Sequence, residues 1–135
     1  MDPKITAFFA QYEKANAEFD VPKIANLYAD SFMFANANGV QPVRKEDFLK
    51  VLPRRKEFFR SAGLVASKVS RVEDSRLDSS YVLAKVTWIM RVERGGKANE
   101  IDNFATYILR QASGSLEIVF QIDHQDLMKR LEALG

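Results

Sequence analysis

Tyr81-Val82-Leu83-Ala84-Lys85-Val86-Thr87-Trp88-Ile89-Met90-Arg91-Val92-Glu93-Arg94 alternates along its whole length. Val82, Ala84, Val86, Trp88, Met90 and Val92 share one side, and Lys85, Thr87, Arg91 and Glu93 take the other. A period of two marks a strand with one buried face. Gly95-Gly96 follows as a tight-turn signal. Beyond it, Asn99 to Ala112 reads as the next strand and Ser113-Gly114-Ser115 as the next turn. Leu116, Ile118, Phe120 and Ile122 are expected on one face of a last strand. Upstream, Leu64 to Leu77 is a strand of weaker alternation, ended by Asp78-Ser79-Ser80. The C-terminal half is therefore an antiparallel meander, with Asp123 to Leu134 as a short helical tail.

The N-terminal part has a different period. Ile5, Phe8, Phe9, Tyr12, Ala15 and Phe19 recur at steps of three and four, which places them on one helix face. Asp2 suits an N-cap with Pro3 in the first turn, and Asp20 with Pro22 repeats the pattern for a second helix. Ile24, Leu27 and Tyr28 form that helix's apolar face. Ser31 to Ala35 reads as a short buried strand, and Asn38-Gly39 turns it into a hairpin because both residues tolerate positive φ. A third helix starts near Arg44 and carries Phe48, Leu49 and Leu52 inward. Pro53 is expected to kink or divide it, and Gly63 to cap its C-terminus. Helices grouped ahead of strands predict an α+β domain, with the helices packed on a strongly curved, mostly antiparallel sheet.

The chain of 135 residues reads as one domain, 1–135. Its 20 basic and 18 acidic side chains leave a net charge of +2, too balanced for a nucleic-acid footprint. The absence of cysteine excludes a disulfide scaffold, a thiolate zinc site and a cysteine nucleophile. One histidine excludes a His-rich metal site, so neither metal nor cofactor is expected. No apolar run suits a membrane span, and MDPKITAFFA lacks the layout of a signal peptide. The default expectation is a cytoplasmic protein without nucleic-acid or membrane partners.

The order of elements, with Leu27-Tyr28-Ala29-Asp30 before a short hairpin and Glu117-Ile118-Val119-Phe120 after a Gly-containing turn, resembles the nuclear-transport-factor-2-like superfamily. That superfamily includes the SnoaL-like polyketide cyclases and ketosteroid isomerase. The resemblance covers nearly the whole chain. It implies a cone-shaped α+β barrel in which helices close a pocket, and a homodimer formed through the outer sheet face. It does not carry an activity with it.

Ketosteroid-isomerase chemistry needs a carboxylate base. The position matching that base is Asn36, whose amide has no useful basicity, so this activity is not expected. His124 is the one imidazole available for acid–base work, and it is expected on the same face as Phe120 and Ile122. A strand-end histidine bonded to backbone is the commoner role. Asp30, Glu100, Asp102 and Asp123 are the carboxylates considered for a pocket. Asp102 shares strand parity with Phe104 and Thr106, Asn103 with Ala105 and Tyr107, and the residues alone leave open which set faces inward. Trp88 is the expected pocket wall, with Tyr12 and Tyr28 as polar groups at its mouth and Phe32, Phe104 and Tyr107 lining it. Arg54-Arg55-Lys56 with Arg60 reads as a solvated helix face.

The leading expectation is a small-molecule-binding domain with an apolar pocket for an unidentified hydrophobic ligand. A second is a cofactor-free lyase, isomerase or cyclase acting on a polyketide- or steroid-like substrate, with His124 or Asp102 as acid–base group and Tyr12 or Tyr28 as donor. A third is a dimeric interaction module using the face that carries Tyr81, Leu83 and Ile89.

Overall fold

A computed structural model describes residues Asp2 to Leu134. The chain runs α1 (Pro3–Glu18), α2 (Val21–Ala25), β1 (Tyr28–Asn36), β2 (Gly39–Arg44), α3 (Lys45–Ser61), β3 (Leu64–Arg76), β4 (Tyr81–Arg94), β5 (Lys97–Ala112), β6 (Ser115–Asp123) and α4 (Leu127–Ala133). The six strands form one sheet in the order β2-β1-β6-β5-β4-β3. Every neighbouring pair is antiparallel except β1 and β6, which run parallel. The sheet is curved and unclosed, with β2 and β3 as its two edges.

The helix periodicity of the N-terminus becomes packing directly. Asp2 caps α1 by accepting from the Lys4 amide at 2.9 Å, and Ile5, Phe8, Phe9, Tyr12 and Ala15 are all buried. Burying a ring such as Phe9 contributes roughly 1.5–3 kcal/mol relative to leaving it in water. The partners are the even-numbered residues of β4, from Val82 to Met90, together with Ala105, Tyr107 and Leu109 of β5. Glu13, on the side of α1, accepts from the Val69 amide at a β3 bulge. Part of the open β3 edge is thereby occupied by the chain's own carboxylate.

Three local expectations are corrected. α2 ends at Ala25, and Tyr28 belongs to β1 rather than to a helix face. The Leu27 carbonyl accepts from the Ile118 amide at 2.8 Å, and Tyr28 pairs with Ile118, so sheet pairing takes over just after the cap at Asn26. Of the two outcomes expected at Pro53, division does not occur: α3 continues through it as one helix. Pro53 is exposed, so its ring and the lost hydrogen bond face water. Ala62 is the C-cap of α3, and Gly63 follows it at φ +100.

The third correction decides the site. A register shift between Ile108 and Leu109 breaks the alternation of β6. Ile118 pairs with Leu109 on the helix-covered face, whereas Phe120 and Ile122 pair with Ile108 and Thr106 on the open face. A bulge of this kind transfers the following residues to the other side. Gln121 and Asp123, opposite Tyr107 and Ala105, therefore point toward the helices.

Candidate functional site

The pairing of β4 with β5 settles which side of β5 faces inward. Trp88 stands opposite Asn103, Val86 opposite Ala105 and Ala84 opposite Tyr107, so the odd-numbered residues of β5 lie under the helices. Asp102, Phe104 and Thr106 occupy the open face.

Under the helices the aromatic rings form one cluster. The Tyr12 ring lies 5.4 Å from Trp88, 5.8 Å from Tyr107 and 6.2 Å from Tyr28. Tyr28 reaches Phe32 at 4.7 Å and, on α3, Phe48 at 4.7 Å. Tyr12, Tyr28, Phe32, Trp88 and Tyr107 are all buried, which places the two tyrosines in the depth of the domain and not at a mouth. Phe104, on the opposite face and 39% exposed, cannot line the same space.

A polar chain threads this cluster. The Tyr28 hydroxyl donates to Gln121 Oε1 at 2.7 Å, and the Tyr12 and Tyr28 oxygens are 2.8 Å apart. Gln121 Nε2 donates in turn to Asp123 Oδ1 at 3.1 Å. Buried hydroxyls need such partners, because an unpaired one costs about 1–3 kcal/mol. Burial pushes the Tyr12 phenol above its usual range, and those of Tyr28 and Tyr107 well above it. All three are neutral donors at physiological pH.

Asp123 ends the chain. Burial raises its carboxyl above the ordinary carboxylate range. The Gln121 hydrogen bond and the charges of Arg55 and His124 act in the opposite direction. Arg55 is on α3, its guanidinium 5.5 Å from the Phe59 ring centre. On the same sheet face, Asn103 holds a buried Oδ1 that has no hydrogen-bond partner among the described residues. Asp123, opposite Ala105, and Asn103, two residues from Ala105 along β5, thus share the helix-covered face, and the positive charge of Arg55 acts on the carboxyl. These polar groups can orient a bound molecule, and the carboxyl can exchange a proton.

The remaining candidates lie elsewhere. His124 is exposed and shares the open face with Thr106, whose Oγ1 is 2.6 Å from His124 Nε2. Asp102 is exposed on that face as well. The sheet separates both from Tyr12 and Tyr28, so the expectation that these groups would act together on one substrate is corrected. Asp30 is fully exposed, 3.5 Å from Lys45 Nζ, and Glu100 is exposed opposite Arg91. The sequence reading did not single out Gln121, Asn103 or Arg55 as site residues. The signal for Gln121 was the unbroken apolar run Ile118-Val119-Phe120, which departs from simple alternation and is consistent with a bulge. Among the described residues no group of three or more His, Cys, Asp or Glu is placed to hold a metal. No described helix is long and apolar enough to cross a membrane.

This arrangement of helices and sheet defines an NTF2-like protein with a cystatin-like fold. The chain belongs to the family of NTF2-like proteins designated DUF6841, whose model matches residues 2–126. No curated protein matches the sequence. Among solved structures it is similar to Aln2 from a Streptomyces species, with a TM-score of 0.73, 19% identity, and coverage of 96% of this chain and 97% of that one. A protein from Catenulispora acidiphila, solved in complex with S-DNPA, gives a TM-score of 0.73 at 13% identity, covering 94% of each chain. An NTF2-like protein with a cystatin-like fold from Novosphingobium aromaticivorans gives 0.72 at 11% identity, covering 95% of this chain and 86% of that one. At these identities the likeness is one of fold.

Proposed function

We propose that the chain is a small-molecule-binding domain. Its ligand lies between α3 and the sheet and presents a hydrogen-bond donor to Asp123 and Asn103. The observation that carries this reading is the polar chain Tyr12–Tyr28–Gln121–Asp123, which ends on a carboxyl made harder to ionise by burial. A core built for stability alone gains nothing from a carboxyl in that position. The aromatic walls suit a mostly apolar body, and the acceptor pair suits a hydroxyl or amine head. α3 is the natural entrance, because it has no fully buried side chain. The solved complex of the Catenulispora acidiphila protein supports ligand binding by this fold.

A second reading is a cofactor-free lyase, isomerase or cyclase. Its support is the same carboxyl: made harder to ionise by burial, Asp123 is better suited to exchange protons than a solvated carboxylate. Here Asp123 would be the acid–base group and the buried tyrosines would polarise it through Gln121.

Native mass spectrometry of the freshly purified protein, repeated under denaturing conditions, tests the first reading. An extra small mass lost on denaturation is expected. The ligand recovered in this way is then returned to ligand-free protein, where it should quench Trp88, the single tryptophan. A clean chain mass, together with Trp88 emission that no apolar hydroxyl or amine compound alters, overturns the binding reading. A recovered molecule that changes mass with the wild type but not with Asp123→Asn favours the enzyme.

A further inference from the structure

On the open face of the sheet, away from the helices, lies a groove of about 300 Å³. Its lining is set by strand register. Arg71 stands opposite Thr87 and Glu73 opposite Lys85 between β3 and β4, while Lys85 stands opposite Thr106 and Thr87 opposite Phe104 between β4 and β5. His124 closes the end through its contact with Thr106. The groove is therefore built by adjacent strands and not by mobile loops.

Its charges are unequal. Glu73 is the one carboxylate in the lining, and Arg71 Nη2 holds its Oε1 at 2.8 Å. Lys85 has no ion-pair partner among the described residues. The groove thus carries one uncompensated positive charge beside two threonine hydroxyls. Thr106 is buried, at 8% exposed. Beside these groups the Phe104 ring is 39% exposed, so apolar surface adjoins the donors. Asp102 lies two residues from Phe104 on the same face, outside the lining of the groove.

We propose that this groove is a second binding site, for a small carboxylate or phosphate that carries a flat apolar body. Lys85 and Arg71 attract the anion, Thr87 and Thr106 donate hydrogen bonds to it, and the apolar body covers Phe104. His124 supports Thr106. When its Nε2 is protonated, the imidazole donates to Thr106 Oγ1 and leaves the threonine hydrogen free to point into the groove. Nothing in this site depends on the interior one, because the sheet lies between them.

The charge arrangement gives a pattern of signs that a general surface attraction would not. Glu73 is held by Arg71, so Arg71→Gln removes a cation and also releases a carboxylate toward the ligand. It is therefore expected to weaken binding more than Lys85→Gln. Glu73→Gln frees Arg71 and is expected to tighten binding.

Two-dimensional amide NMR with phenylacetate, and with the neutral phenylacetamide, tests the site. Phenylacetate is expected to shift the amides of Lys85, Thr87, Phe104, Thr106 and His124 in a saturable way, and phenylacetamide to leave them in place. Lys85→Gln should weaken the phenylacetate affinity about tenfold, the size of one charge-assisted hydrogen bond. Lys97→Gln, at the exposed β4–β5 turn, should leave it unchanged. The spectra also report whether each variant keeps its fold. Equal response to acid and amide, or full affinity in Lys85→Gln, overturns the proposal. So does a set of shifts that follows protein concentration and ignores phenylacetate, which would assign this face to a second copy of the chain.

Discussion

Tyr28 gives its only phenolic proton to Gln121 Oε1, 2.7 Å away, so the 2.8 Å contact between Tyr12 and Tyr28 has one possible direction. Tyr12 must donate to Tyr28. Gln121 then donates through Nε2 to Asp123, which also fixes the orientation of the amide. Every donor in the chain points toward the carboxylate. Aligned donors polarise one another, which strengthens the contact at the acceptor end.

The two tyrosines are unequal for that reason. Tyr28→Phe leaves both the Tyr12 proton and the Gln121 carbonyl oxygen without their partner, at about 1–3 kcal/mol for each buried group. Tyr12→Phe removes only the first donor, and Tyr28 keeps its bond to Gln121. Urea unfolding should therefore rank Tyr28→Phe below Tyr12→Phe in stability. The reverse order would contradict the direction assigned to the chain.

Much of the fold is legible in the sequence. The alternation of Tyr81 to Arg94 and the helical spacing from Ile5 to Ala15 reappear as the central strand β4 and the inward face of α1, because each has one period and one buried side. The site itself was less legible. Tyr28 fits the apolar face of a helix as well as a strand, and only pairing with Ile118 decides between them. The two faces of β5 are both mixed, and the choice rests on Trp88 facing Asn103. Phe120 and Ile122 were displaced from the face of Ile118 by the β6 bulge, which turned Gln121 and Asp123 toward the helices. In each case a long-range pairing overrode or completed a local pattern.

Asp123 gives a pH dependence of definite sign. Its carboxyl titrates higher in the folded chain than in the unfolded one, and burial is the main cause. Between those two values the native state holds the extra proton, so stability falls as pH rises through the window. At neutral pH the buried charge is a net cost. Asp123→Asn keeps the shape and still accepts from Gln121. It should raise stability at pH 7 by about 1 kcal/mol, within the range of single stabilising substitutions. The advantage should vanish once the pH is below the ordinary carboxylate range. Parallel thermal melts of the two proteins across pH read this directly, and a wild type that outlasts the variant at pH 7 would refute it.

Gly63 is constrained twice. Its φ of +100 is one that side chains rarely adopt, and a Cβ there would lie 2.7 Å from the Glu93 carbonyl oxygen and 2.5 Å from Arg94 Cγ. Arg94 is held at its far end by the Leu131 carbonyl, and the Glu93 carbonyl belongs to β4, so neither yields easily. The Gly63 carbonyl also accepts from the Glu93 amide at 2.8 Å, so the α3–β3 junction is fastened at this point. Gly63→Ala should cost about 2 kcal/mol or more, from backbone strain and the loss of close approach. Gly96→Ala, where φ is +79 but nothing lies within 4 Å, should cost less. Equal losses in denaturant titrations would show that conformation alone decides both sites.

The entrance assigned to α3 has a dynamic consequence. α1 buries five side chains, whereas α3, one residue longer, buries none fully and reaches the core only through the partly covered Phe48 and Leu52. Pro53 also deprives the Leu49 carbonyl of its helical partner. Elements with little buried surface open at lower free energy than the rest of the fold. Hydrogen exchange should therefore be at least about tenfold faster in the middle of α3 than in the middle of α1, a gap of about 1.4 kcal/mol. A ligand bound against Asp123 and Asn103 should slow exchange in α3 selectively, since closing the helix over it adds the contacts that α3 lacks. Phenylacetate on the open face should leave α3 exchange unchanged. If α3 proves as protected as α1 in the free protein, the helix is not the way in, and the polar end of the aromatic cluster must be reached from the β6–α4 side instead.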